Sequence, residues 1–297
     1  MAKPIVHLRH QGPVIASLGR TVWAALGQRF RVNGQGVTVP SAELHAQVPP
    51  RDRLMVRDFV RYLGGYSDRY GSHLPPHLFP QWGVPIAAST LEGIPYPLVK
   101  ILNGGCRMEM NSPLPNDEPL HVRARLESID DDGRRAVLHQ RIVTETASAP
   151  DALVAHVTAI VPLASGKGGR RKKKEPVRVP VDARQLVRWR LGADAGLHFA
   201  MLTGDFNPVH WIRPYAKAFG FRGKILHGFA TMARVFEALV GVELDGDWER
   251  LATLDVRFTR PLVLPASVGL FVKQSAVYVG DGAGEPAYLV GEMTTRS

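Results

Sequence analysis

Four residues of this chain return at a single offset of 148 positions. Met108, Met110, Pro113 and Leu114, within Cys106–Pro115, are answered by Val256, Phe258, Pro261 and Leu262, within Asp255–Val263. The offset is about half of a 297-residue chain. The sequence therefore predicts two copies of one structural unit.

The distribution of charge marks where the copies meet. The formal net charge is +10 at pH 7. Most of it lies in one run, Lys167, Arg170, Arg171, Lys172, Lys173, Lys174 and Arg178, opposed only by Glu175. Gly166, Gly168 and Gly169 open this run, and Pro176 and Pro180 close it. That composition predicts a linker over 166–180, between an N-terminal unit at 1–165 and a C-terminal unit at 181–297. A compact basic run also attracts anions. It has no aromatic residues between the cations to stack bases, so nucleic acid is not the expected partner.

Each half reads in the same order, a helix and then long strands. In the second, Ile225, Phe229, Met232, Phe236 and Leu239 recur at helical spacing, predicting a helix from about Gly228 to Val240-Gly241. Strand-like runs follow at Thr253–Phe258, Ser267–Val279 and Ala287–Thr294. In the first, an apolar segment at Val84–Leu98 precedes strand-like runs at Arg107–Met110, Leu120–Ser128, Ala136–Glu145 and Leu153–Val161. Asp130–Gly133 reads as a hairpin turn. Asn103-Gly104-Gly105 stands before a strand, so a bend is expected there. One central helix followed by long antiparallel strands suggests a sheet wrapped around the helix.

Polar chemistry concentrates in the second half. Phe199–His210 reads Phe-Ala-Met-Leu-Thr-Gly-Asp-Phe-Asn-Pro-Val-His. It places Asp205, Asn207 and His210 on a proline-fixed turn, a poor recipe for a regular element and a good one for holding two proton-transfer groups. Ile225-Leu-His-Gly228 follows and opens the apolar helix. Asp68 and His73 repeat the spacing of Asp205 and His210 but lack the Gly-Asp-x-Asn-Pro context, so no catalytic role is expected of them.

The sequence Phe199-x-x-Leu-Thr-Gly-Asp-x-Asn-Pro-Val-His210, with Ala216, Phe219-Gly220-Phe221 and Ile225-Leu-His-Gly228, closely resembles the hydratase motif of the MaoC-like family. That family contains (R)-specific enoyl-CoA hydratases and related acyl-thioester dehydratases. The resemblance implies an α+β double hotdog, two antiparallel sheets each wrapped around a central helix, with the catalytic motif only in the C-terminal half. It implies that Asp205 and His210 activate one water, that Gly204 and Asn207 support the loop, and that the Gly228 N–H receives the thioester carbonyl. His227 reads either as a substrate contact or as a core histidine. Arg222 and Lys224 read either as contacts to coenzyme phosphates or as surface charges. Arg213, beside Trp211, stands where it can shape the acyl or coenzyme path. The expected activity is reversible syn hydration of a trans-2-enoyl-CoA to the (R)-3-hydroxyacyl-CoA. Two alternatives stay open: a dehydratase for carrier-protein-bound, branched or polar acyl groups, and a non-catalytic thioester-binding protein. No metal or separate cofactor is expected, coenzyme A or an acyl carrier being part of the substrate. Family analogy allows a homodimer.

Other features narrow the setting. No apolar run is long enough to span a membrane, and Met1–His10 lacks the apolar core of a signal peptide, so no membrane partner is expected. The single cysteine, Cys106, cannot form an internal disulfide and fits a reducing cytoplasm. It reads as a buried small hydrophobe. The clusters lack zinc-like Cys/His spacing, and no nucleotide fingerprint precedes a helix.

Overall fold

The computed structural model describes residues 38–163 and 175–296, together with His7 and Gly12. The basic run at 167–174 and most of the expected linker lie outside the described residues. The N-terminal half contains, in order, β1 (Leu44–Val48), α1 (Arg53–Leu63), β2 (His73–Leu74), α2 (Pro80–Ser89), β3 (Leu102–Met110), β4 (Leu114–Pro115), β5 (Leu120–Asp131), β6 (Arg135–Glu145) and β7 (Leu153–Pro162). The C-terminal half contains β8 (Arg184–Leu191), α3 (Ala195–Thr203), α4 (Arg213–Ala218), α5 (Gly228–Val242), β9 (Leu251–Phe258), β10 (Ala266–Lys273), β11 (Ala276–Gly280) and β12 (Ala287–Thr295).

The large strands form one antiparallel sheet in the order β1-β5-β6-β7-β3-β9-β12-β11-β10-β8, while β2 and β4 pair separately. Read outward from the middle, the two sides run identically: β3, β7, β6, β5, β1 on one and β9, β12, β11, β10, β8 on the other. Each half is a hotdog sheet around its own helix, and the molecule is a double hotdog.

The seam between β3 and β9 accounts for the offset found in the sequence. Arg107 pairs with Asp255, which is its own counterpart 148 positions later. The pairs beside it are Cys106 with Val256 and Met108 with Leu254. A pseudo-twofold axis therefore passes through Arg107 and Asp255. Alternation fixes the faces: Cys106, Met108, Met110, Leu254 and Val256 are buried on the helix side, and Arg107 and Glu109 lie on the outer side. Cys106 is 2% exposed, and burial raises its thiol pKa far above the ordinary value, as befits an inert hydrophobe.

Helix α5 is buried almost all round, from Phe229 to Phe236 and on to Leu239 and Val240. That is the pattern of a helix enclosed by a core. Its N-terminal counterpart, α2, differs from the expected Val84–Leu98. It starts earlier, at Pro80, where proline's fixed φ suits a first helical residue. It stops at Ser89, ahead of Gly93, Pro95 and Pro97, which cannot continue it.

Two strand readings need correction. The run Ser267–Val279 is a hairpin, not one strand: Gln274 takes a left-handed φ of 55° and turns β10 back into β11. Strand β8 escaped prediction, although Val187, Trp189 and Leu191 alternate with Arg188 and Arg190. The described end of the linker is not free chain. Val179 is buried against Phe271, Ala287 and Val290, and its N–H donates to the Glu285 carbonyl at 2.9 Å.

Gly105 sits where β3 meets β9, just after a register shift at Asn103–Gly105 that realises the expected bend. A Cβ there would overlap the Val256 carbonyl of the facing strand. Gly105→Ala is expected to cost about 1–3 kcal/mol through this overlap. Gly282→Ala, whose added Cβ meets nothing closer than 3.8 Å, is expected to stay within about 0.5 kcal/mol of wild type. Urea unfolding midpoints of the two variants check both values.

Candidate active site

Helix α3 ends where glycine permits a sharp exit. Gly204 has φ 84° and its N–H donates to the Ala200 carbonyl at 2.7 Å. The next residues fold through side-chain bonds to their own backbone. Asp205 Oδ1 accepts from the Asn207 N–H at 3.2 Å, and Asn207 Oδ1 accepts from the Val209 N–H at 3.3 Å. Asn207 thereby caps the short three-ten turn Pro208–His210. Gly204 and Asn207 thus shape the chain between α3 and this turn.

A second segment laces onto this loop. The Ile225 N–H donates to the Val209 carbonyl at 3.2 Å, and Leu226 donates to Leu262 at 2.8 Å. His210 Nδ1 lies 2.9 Å from the Ile225 carbonyl, and His227 Nε2 lies 2.9 Å from the Asp205 carbonyl. A carbonyl only accepts, so each of these nitrogens carries its ring's proton. The Nε2 of His210 is left with a lone pair. The two imidazoles stack with centroids 3.5 Å apart and planes 23° apart, and His227 also packs on Phe199.

Charge follows from this packing. Burial is the main reason that the His210 pKa falls below its ordinary value, with His227 adding to the effect and Asp205 opposing it. Burial likewise lowers His227, against the pull of Asp205. Both rings are neutral near pH 7, the state in which His210 can accept a proton.

Ligating atoms of Asp205, His210 and His227 lie within 4.8 Å of one another. One water with two bonds of about 2.8 Å spans such a gap. Just beyond, Gly228 is the first residue of α5, so its N–H has no partner within the helix. A Cβ on Gly228 would come within 2.7 Å of the Phe258 ring.

The remaining candidates separate. His227 is 2% exposed and holds the Asp205 loop through its ring N–H, which is the core reading of that residue. Lys224 pairs with Asp194 at 2.9 Å. Arg213 and Arg222 are exposed, the first opening α4 and the second on the turn before Lys224. Sequence reasoning missed Gly196 and Phe258. A Cβ on Gly196 would overlap the His210 carbonyl, so this glycine lets α3 approach the loop that it serves. An isolated glycine within an apolar helix was the available signal.

Comparison with known proteins bears on the family and the fold. The family model described as "MaoC like domain" matches residues 171–286. The C-terminal half carries a MaoC-like domain. Among curated proteins, the enoyl-CoA hydratase ChsH3 of Mycobacterium tuberculosis is 30% identical over 56% of this chain and 58% of its own length. The match therefore spans less than two thirds of that relative. The 3-hydroxyacyl-thioester dehydratase X of the same organism is 26% identical over 72% of this chain and 73% of its own. The crystal structure of HtdX from Mycobacterium tuberculosis superposes with a TM-score of 0.70 at 20% identity, over 85% of this chain and all of that one. That likeness establishes the shared fold.

The lowered histidines give stability a definite pH dependence. Unfolded imidazoles take up protons below about pH 6.5, whereas the folded His210 and His227 resist protonation there. The unfolded state then binds more protons, so stability falls as pH drops below 6.5. The melting temperature is expected to be lower at pH 5 than at pH 7. The gap narrows when both histidines are replaced by glutamine, as thermal unfolding at the two pH values measures.

Proposed function

We propose that the chain is an acyl-thioester hydratase/dehydratase, adding water to a trans-2-enoyl thioester to give the (R)-3-hydroxyacyl thioester, and reversing that step. The observation that carries the proposal is that Asp205 and His210 bring ligating atoms within 4.8 Å of each other, a gap that one water spans, beside the N-terminus of α5. Hydration needs a base for water, a proton for C2 and stabilisation of the enolate oxygen. Asp205 and His210 hold the water, take its proton as oxygen bonds to C3, and return a proton to C2. The π electrons of C2=C3 move toward the thioester carbonyl as the C3–O bond forms and flow back when C2 is protonated, so water is added whole. Both parts arrive on one face. The Gly228 N–H, at the positive end of the helix dipole, meets the transient oxyanion without reorganisation.

Asn207 and Gly204 serve this site by fixing the loop, and His227 by tethering Asp205. Coenzyme A or an acyl carrier enters as part of the substrate, and this chemistry calls for no separate cofactor. Arg213 and Arg222 are the exposed cations available to an anionic carrier arm. The names of the matched hydratase and dehydratase relatives support the same reading. The N-terminal half acts as the partner hotdog without the motif, and the buried lone cysteine suits a reducing compartment. No helix of the described residues is long and apolar enough to cross a membrane.

Loss of enoyl absorbance on mixing the protein with crotonyl-CoA and with longer enoyl-CoA substrates tests the activity. Asp205→Asn and His210→Ala are each expected to lower kcat about 10²–10⁴-fold. Unchanged turnover in either would remove that residue from the mechanism. Crotonyl-pantetheine linked to an acyl carrier protein, run in parallel, separates the two carriers.

A further inference from the structure

The pseudo-twofold axis relates the active-site loop to a segment of the N-terminal half. Helix α1 ends at Gly64 with φ 94°, as α3 ends at Gly204 with φ 84°. Phe59 and Phe199, each five residues before its cap, meet with ring centroids 6.2 Å apart. Six residues beyond the caps, Tyr70 and His210 each end a three-ten turn. Tyr70 thus occupies the place of His210, and Gly65 the place of Asp205. His77 packs on Phe59 at 5.4 Å, as His227 packs on Phe199 at 4.9 Å. The structural counterparts of the catalytic pair are therefore Gly65 and Tyr70, not Asp68 and His73.

The position of the missing carboxylate is filled. A Cβ on Gly65 would overlap the carboxylate of Glu237, which comes from α5 in the other half. Glu237 is 3% exposed, and Oε1 accepts from the Tyr70 hydroxyl at 3.0 Å. His77, fully buried, brings Nε2 to 3.1 Å from the same oxygen without hydrogen-bond geometry, and Glu237 Oε2 has no hydrogen-bond partner among the described residues. One helical step earlier, Arg234 is 9% exposed, donates to the Leu63 carbonyl at 3.3 Å and lies over the Tyr62 ring at 4.8 Å. Tyr62 in turn donates to the Ala195 carbonyl, at the start of α3, at 2.6 Å. Both buried charges of α5 thus face the N-terminal half.

We propose that the N-terminal half contains a closed counterpart of the active site, and that Glu237, held there by the Tyr70 hydroxyl, is a positioning residue for the catalytic helix. An apolar residue at 237 would fill the space yet tolerate sliding and turning of α5. A buried carboxylate is costly to leave without its remaining partner, so the bond from Tyr70 favours one placement. Gly228 lies nine residues up the same rigid rod, about 14 Å away. The placement of Glu237 sets where the Gly228 N–H points. The functional side of this inference rests on the role proposed for Gly228; the clamp itself rests on geometry alone.

Glu237→Gln keeps the shape and removes the charge. It is expected to lower kcat about tenfold with KM within about threefold, the signature of a misaimed group rather than a lost binding contact. Hydrogen exchange of the 226–232 segment is expected to quicken while that of β9–β12 holds. Tyr70→Phe should act in the same direction more weakly, and the double variant should be no worse than Glu237→Gln alone. Wild-type kcat and wild-type exchange in both single variants would overturn the proposal. So would exchange that quickens equally over the whole sheet with kcat per folded molecule unchanged, which marks a purely structural role. If Glu237→Gln does not fold, Tyr70→Phe decides by the same readouts. Absence of turnover by the wild type on any enoyl thioester would sink the proposed function, while the exchange measurements would still decide the clamp.

Discussion

The close approach of β3 and β9 is the constraint from which the rest follows. Pairing of these strands turns two five-stranded sheets into one, and it occurs through a backbone contact that admits no side chain at Gly105. Once Arg107 faces Asp255, alternation directs Cys106, Met108, Leu254 and Val256 toward the helices. Helices α1 and α3 meet near the axis through Phe59 and Phe199, and α5 is enclosed on all sides. The loop of the candidate active site hangs from the end of α3 and is laced to the start of α5. Its geometry is thus a consequence of a seam made elsewhere in the sheet.

Legibility in the sequence tracked the range of the interaction. The offset of 148 was visible because proline and leucine recur at the ends of the seam strands, and the structure realises it as strand register. The loop was legible because Gly204, Asp205, Asn207 and Pro208 act within a few residues of one another. The start of α5 was legible from apolar spacing. Close approaches between separate elements were hidden. Gly65 meets Glu237 across the axis, while Gly196 meets His210 and Phe258 meets Gly228 within the C-terminal half, and one sequence holds no record of those distances. The hairpin at Gln274 was missed for a different reason: a continuous alternating run conceals a turn that carries no glycine, proline or asparagine.

The two halves differ at the positions where chemistry would be done. The first residue of α5 is Gly228, with a free N–H; the first residue of α2 is Pro80, which has none. Tyr70 takes the place of an imidazole, and Gly65 that of a carboxylate. The N-terminal half keeps the sheet, the axis and the helix caps, which are matters of packing. It lacks the groups that would accept a proton or meet an oxyanion. Duplicated architecture and unduplicated chemistry thus coexist in one chain.

The pair on the axis also bears on self-recognition. On a true twofold axis, a residue faces its own copy. If β3 met another β3, Arg107 would face Arg107; if β9 met another β9, Asp255 would face Asp255. Like charges directly opposite across a ladder repel, whereas the observed pair attracts. The sheet thus carries, at its symmetry centre, a preference for unlike partners: each half is matched to the other and disfavours its twin.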